Sequence, residues 1–151
     1  MAQSLLGNIK NKHTGLDVAA GDVAAAVKLT RGLAVYQDGA NGFKVVPTAA
    51  QPDASAIRFS EVEQDNLTGV KGDKKVETYK SGTIMIVKAQ GNIAVGSKLR
   101  ASTVTAGSLA QHATVDANYV ANYLGHPDEV GATGKEITAA ADGQEILVYI
   151  V

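Results

Sequence analysis

His13, His112 and His126 are the side chains of this sequence best suited to proton transfer or metal ligation, and they stand far apart. None belongs to a His-x-His or His-x-x-x-His pair, the spacings that aim two imidazoles at one ion. His126 alone lies beside carboxylates, in His126-Pro127-Asp128-Glu129, where a surface turn accounts for it. Glu61, Glu63 and Asp65 form the one acidic cluster. On a strand the first two share a face, as a carboxylate pair for acid–base work or the corner of a calcium site would require. A hydrated loop entry explains them equally well. Gly69-Val70-Lys71-Gly72-Asp73-Lys74-Lys75 has the glycines and lysines of a phosphate cradle but lacks the Gly-Lys-Ser/Thr ending and opens no helix. There is no Gly-x-Ser-x-Gly elbow, no dinucleotide fingerprint and no cysteine to serve as nucleophile or thiolate ligand. The expectation is a protein that is not an enzyme and takes no cofactor or metal.

Lys71, Lys74, Lys75 and Lys80 make a modest basic loop and strand. Charge of this kind commonly protects a sheet edge from unwanted pairing. Docking onto an acidic protein surface is the functional alternative. Nucleic acid is not an expected partner, because the formal charge is -1 and only Tyr79 offers an aromatic nearby.

These residues need a scaffold, and 151 residues at 45% hydrophobic content can build one. A chain of that length buries roughly 68–70% of its unfolded surface, enough for a single core without disulfides. No run of eighteen apolar residues marks a membrane span, and Met1 to Lys10 lacks the pattern of a signal peptide, so a protein made and used without export is expected. Aromatics are 5%, with no Trp, while small and β-branched residues abound. That suits close-packed sheets better than a ligand pocket.

Alternation and turn residues predict strands over 33–37, 43–46, 56–62, 74–80, 83–88, 96–101 and 145–151. Asp38 to Gly42 supplies a hairpin loop, and Pro47 ends a ladder by offering no N–H. Glu63 to Asp73 reads as an exposed polar excursion. Residues 24–29 fit helix or strand. Leu109, Ala113, Ala117 and Val120 fit helical spacing after Ser108, but strands are preferred over 108–124 because Thr114-Val115-Asp116 interrupts and Tyr119 to Leu124 is β-prone. The fold class is therefore all-β: a compact β-sandwich or small β-barrel, with room for one short helix. Residues 1–20 read as an extended N-terminal arm in which Leu5, Leu6 and Ile9 have the spacing of a short helical stripe, and 21–151 as a single β-rich domain.

That domain looks internally duplicated at an offset of about sixty residues. Gly32 to Tyr36 matches Gly96 to Ala101, Phe43 to Val46 matches Ser108 to Gln111, and Ala56 to Phe59 matches Tyr119 to Tyr123. Gly82 to Val87 and Gly143 to Ile150 would close the two halves.

The order of Ala19-Ala20-Gly21-Asp22-Val23, Gly32-Leu33-Ala34-Val35-Tyr36, Lys44-Val45-Val46-Pro47-Thr48-Ala49, Val95-Gly96-Ser97-Lys98-Leu99, Ala121-Asn122-Tyr123-Leu124-Gly125 and the closing run from Glu145 resembles the capsid decoration, or cement, proteins of tailed bacteriophages. The likeness spans most of residues 19–151; Glu63 to Asp73 has no match in it. It implies a virion structural protein, made in the host cytoplasm, that binds the outside of an icosahedral capsid, often as a trimer. Its partners would be the major capsid protein and itself, and it would stabilise the shell by bridging neighbouring subunits. Position and chemistry, rather than any family motif, make Leu5, Leu6, Ile9, Lys10 and Lys12 the expected capsid anchors, with Lys71, Lys74 and Lys75 as a second contact. Competing expectations are a tail, fibre or carbohydrate-binding β-domain, which the lack of Trp disfavours, and a small hydrolase or isomerase on a β-barrel.

Overall fold

A computed structural model describes residues 4–12, 16–127 and 137–151. His13, Asp128 and Glu129 lie outside these residues. The described chain is mostly β. Its strands are β1 (Val18–Asp22), β2 (Val27–Leu29), β3 (Ala34–Gln37), β4 (Phe43–Val45), β5 (Ile57–Ser60), β6 (Gln64–Asn66), β7 (Lys75–Tyr79), β8 (Ile84–Lys88), β9 (Lys98–Ala101), β10 (Leu109–His112), β11 (Ala121–Gly125) and β12 (Glu145–Ile150). Among the described residues the only helical pieces are 3-10 turns at Gly39–Asn41 and Ala54–Ala56. The stretch from Ser108, where a helix competed with strands, holds β10 and β11. No helix among the described residues is long and apolar enough to cross a membrane.

The strands form two five-stranded sheets and one two-stranded sheet. The first large sheet runs β1-β7-β5-β3-β4, and the second runs β8-β12-β11-β9-β10. The two orders correspond strand for strand, and so do their registers. Val35 faces Val45 as Leu99 faces Gln111, and Val18 faces Tyr79 as Ile84 faces Tyr149. Each sheet curls until the exit of its first strand meets its last. Val23 bridges Phe43 in parallel in one, and Ala89 bridges Leu109 in parallel in the other. Even the small β2–β6 ladder, where Val27 faces Asn66, has a counterpart in the Ile93–Ala140 bridge. This correspondence sets β8 against β1 and β12 against β7. Gly82 to Val87 therefore leads into the second unit instead of closing the first. The sequence pattern had matched β8 to the strand it pairs with, not to its structural equivalent.

Alternation explains which faces are covered. Residues 23, 35, 43 and 76 close one cluster inside the first curl, capped by Leu29 from β2. A larger core joins both sheets, with Phe59, Ile57 and Tyr79 from the first and Met85, Leu99, Ile146 and Ile150 from the second. Each fully buried Ile or Leu there contributes about 1.5–3 kcal/mol. The units also bond directly: the Gly107 carbonyl accepts from Ala34 N at 2.9 Å, and Gly107 N donates to Val46 O at 3.2 Å. Gly107 is required, because a Cβ would lie 2.3 Å from Leu33 Cδ1 and its φ is +79°.

The polar excursion from Glu63 is more ordered than its composition suggests. Gln64–Asn66 is β6, and Asn66 is buried. Its amide Nδ2 reaches Ala24 O and Val70 O at 3.0 Å and Val23 O at 3.3 Å, fastening the excursion to the end of β1. The strand expected to reach Val62 ends at Ser60.

Candidate functional site

Of the residues expected to form an arm, 7–11 lie along the outer edge of β8, while Val18 to Ala20 belong to β1. Ile150 N donates to Thr83 O and Ala89 N to Gln144 O, so residues 83, 85, 87 and 89 turn their backbone groups toward β12. Residues 84 and 86 face outward, where residues 7–11 meet them. Gly7 N donates to Ile86 O at 2.9 Å, Ile86 N to Asn8 O at 3.0 Å, and Lys10 N to Ile84 O at 2.8 Å. The Asn11 side chain continues the ladder: its Nδ2 donates to Gly82 O at 2.7 Å, and its Oδ1 accepts from Ile84 N at 2.9 Å. The segment is a strap with turns rather than a helix, and Gly7 at φ +82° breaks the helical stripe expected from Leu5, Leu6 and Ile9.

The strap also grips the first unit. Arg31 donates to Asn8 Oδ1 at 3.2 Å, and Lys12 pairs with Glu61. A Cβ on Gly7 would lie 2.3 Å from Glu61 O, so the close approach depends on glycine. Of the expected anchors, Ile9 packs partly buried against the common core, and Leu6 is half-buried. Leu5 and Lys10 remain exposed, with Leu5 N bonded to Glu145 Oε1 at 2.7 Å.

Lys71, Lys74 and Lys75 do not act as one patch. Lys75 and Lys71, the latter at 3.7 Å, both pair with Asp22 at the end of β1. Hydrogen bonding from Lys75, the larger effect, holds the Asp22 carboxyl below the usual carboxylate range. The Lys74 side chain is exposed, while its carbonyl accepts from Val23 N at 2.9 Å. Lys80 turns inward and donates to Ala54 O at 2.9 Å and Ile57 O at 3.1 Å. Burial pushes its amine down from the ordinary lysine value, with Arg58 adding to the effect.

The acidic cluster is divided among separate partners. Glu61 takes Lys12, Glu63 lies 3.3 Å from Lys28, and Asp65 Oδ1 accepts from Leu67 N at 3.1 Å. Among the described residues no three His, Asp or Glu side chains converge as metal ligands. Lys80 borders a hollow of about 400 Å3 between the units, together with Asp53, Ser55, Asp116 and Tyr119. Asp116 is already committed: His112 Nε2, Thr114 Oγ1 and Asn118 N all lie 2.8 Å from its oxygens. These bonds, that to His112 first, lower its pKa to about 2, far from the range of a general base at neutral pH. Tyr79 goes the other way, pushed up to about 12 by desolvation and then by Glu61 and Glu77. His126 Nε2 lies 3.2 Å from Ala139 O.

Several aliphatic side chains are held outward. Val70, Val104 and Val115 are 66%, 71% and 70% exposed in connections between strands. A second feature escaped the sequence pattern: beside β1 lies a groove lined by Ala20, Val62, Val76, Gln64, Glu61 and Glu77, and bordered by Lys75. Its one sequence signal is that Val18-Ala19-Ala20-Gly21 is an edge strand without lysine or proline. No protein-family model matches the chain, and no curated protein matches it.

Proposed function

We propose that this is a non-enzymatic virion structural protein that binds the outer surface of an icosahedral phage capsid as a trimer and stabilises it by bridging neighbouring major capsid protein subunits. The observation that carries the proposal is the exposure of Val70, Val104 and Val115 in short connections on a doubly built β-scaffold. Turn residues are ordinarily polar, and aliphatic side chains held out by rigid strands suit a protein surface better than water. Repetition of such contacts over a shell turns modest affinity into durable attachment. The residues of the sequence likeness fall chiefly on β1, β3, β4, β9, β11 and β12 and the turns beside them, so the likeness concerns the scaffold itself.

The test is co-sedimentation with purified capsids, with the mass of the free chain measured in parallel. A trimer that pellets with capsids is expected, and Val104→Asp with Val115→Asp should weaken that binding about tenfold or more. A monomer indifferent to capsids sinks the proposal.

A further inference from the structure

The equivalence of the two sheets exposes one unfilled seat. On β8, Ile84 and Ile86 point their backbone groups outward and the strap satisfies them. Their equivalents on β1 are Val18 and Ala20. Lys80 N donates to Asp17 O and Val23 N to Lys74 O, so residues 17, 19, 21 and 23 face β7 and residues 18 and 20 face outward. Among the described residues, no hydrogen bond from outside the β1–β7 ladder reaches Val18 or Ala20. The side chains tell the same story. Ile86 and its cross-strand partner Leu147 are fully buried, whereas Ala20 and its partner Glu77 are exposed. Where the second unit has an occupied edge, the first has an open one, and a groove of about 280 Å3 lies on the adjoining face of the β1–β7 pair.

Natural edge strands are normally guarded by lysine, proline or a bulge. Val18-Ala19-Ala20-Gly21 has none of these and pairs with β7 in unbroken register. We infer that the β1 edge is an acceptor for an extended strand of a partner protein, one carrying an aliphatic residue flanked by lysine or arginine. The strand would add backbone hydrogen bonds at Val18 and Ala20 by β-augmentation. Its aliphatic side chain would lie against Ala20. Its cations would face Glu77, which has no cationic partner among the described residues, whereas Glu61 at the same groove is already paired with Lys12. Lys75, also at the groove, is held by Asp22, a carboxylate it shares with Lys71. The strap shows the matching chemistry in its own seat, Ile9 between Asn8 and Lys10 with Lys12 beyond. Assigning the strand to the capsid subunit rests on the proposed function; the acceptor edge itself does not.

The probe is a synthetic peptide of residues 4–12, added to the full chain and read by amide hydrogen exchange and by titration. Saturable binding that slows exchange at Val18 and Ala20 is expected. Glu77→Lys should weaken it about tenfold or more, as should replacing both peptide lysines by glutamate. Ala20→Pro removes an outward N–H that no internal bond uses and should abolish binding; Glu77→Lys serves where that variant is unstable. Slowed exchange at Ile84 and Ile86 alone, or binding indifferent to Glu77→Lys, overturns the inference. Protection of Ala20 that rises with concentration of the chain alone assigns the edge to a second copy and overturns it as well. Capsid binding retained by both variants removes this edge from the interface and leaves the capsid proposal standing. Peptide binding by a chain that ignores capsids does the reverse.

Discussion

Replacing Asn11 by alanine isolates what the strap contributes. The side chain makes two bonds at the edge of β8, 2.7 Å to Gly82 O and 2.9 Å from Ile84 N. Both backbone groups sit at an edge that water can reach once the end of the strap lifts, so each bond counts at its net value of about 1 kcal/mol rather than at the cost of a buried orphan. The expected loss is about 2 kcal/mol, which for a domain of this size lowers the melting temperature by about 4–8 °C. Circular dichroism melts measure it. Amide exchange adds a local readout: Ile84 and Ile86 should exchange faster, while Ile146 and Val148, inside β12, should not. Deleting residues 1–12 removes three backbone bonds more and should have the larger effect on both readouts. A melt displaced by less than about 1 °C, with Ile84 exchange unaltered, would refute the seating of the strap on β8.

Three further substitutions test the scaffold. Asn66→Ala leaves the buried carbonyls of Val23 and Ala24 without the amide that serves them and should cost about 2–3 kcal/mol in chemical denaturation. Thr83 Oγ1 is buried with no hydrogen-bond partner among the described residues, so Thr83→Val should stabilise by about 1 kcal/mol in the same assay. The lowered Asp116 pKa makes its contribution to stability full above the unfolded value near 3.8 and lost as pH falls through about 2. Asp116→Asn should flatten the acid limb of the stability curve over that window, and a carboxyl NMR titration midpoint near 3.8 would contradict the bonding described.

The all-β class and most strands were legible because their local signals agree with their burial. Ile84 to Val87 and Glu145 to Ile150 are dense in branched and aliphatic residues; β12 lies inside the second sheet, and β8 at its edge is covered by the strap. Asp38 to Gly42 turns the chain where glycine at φ +97° is needed. The pieces that were not legible draw their order from distant partners. Gln64–Asn66 is polar and aperiodic, and becomes a strand because β2 pairs with it and Asn66 finds carbonyls more than forty residues away. Leu5, Leu6 and Ile9 carry helical spacing by coincidence, since three backbone bonds to β8 decide their conformation. The lysines at 71 and 75 look like a free cationic loop only until Asp22, some fifty residues earlier, is placed between them.

Divergence between the equivalent faces explains why two like units make one body instead of an array. At the face of the first unit that receives the Gly107 turn, the side chains are Leu33, Ala34, Val45 and Val46. The register places Ser97, Lys98, Gln111 and His112 at the same positions in the second unit. Four apolar residues have become four polar ones, and Gly96, the equivalent of buried Gly32, stands exposed with open space around it. A third unit stacked on that face would bury a lysine and a glutamine without partners, which is costly. The second unit therefore ends the stack with a solvated cap, as the terminal units of repeat proteins do. At the opposite end the change is smaller: Ile86 has become Ala20, Leu147 has become Glu77, and the backbone edge is left unguarded. A small residue beside a single acid does not seal an edge in the way that lysine or proline would. Sequence has closed one end of the molecule to further β-pairing and left the other able to accept a strand, which is why the β1 edge, and not the β9–β10 face, is where a partner strand belongs.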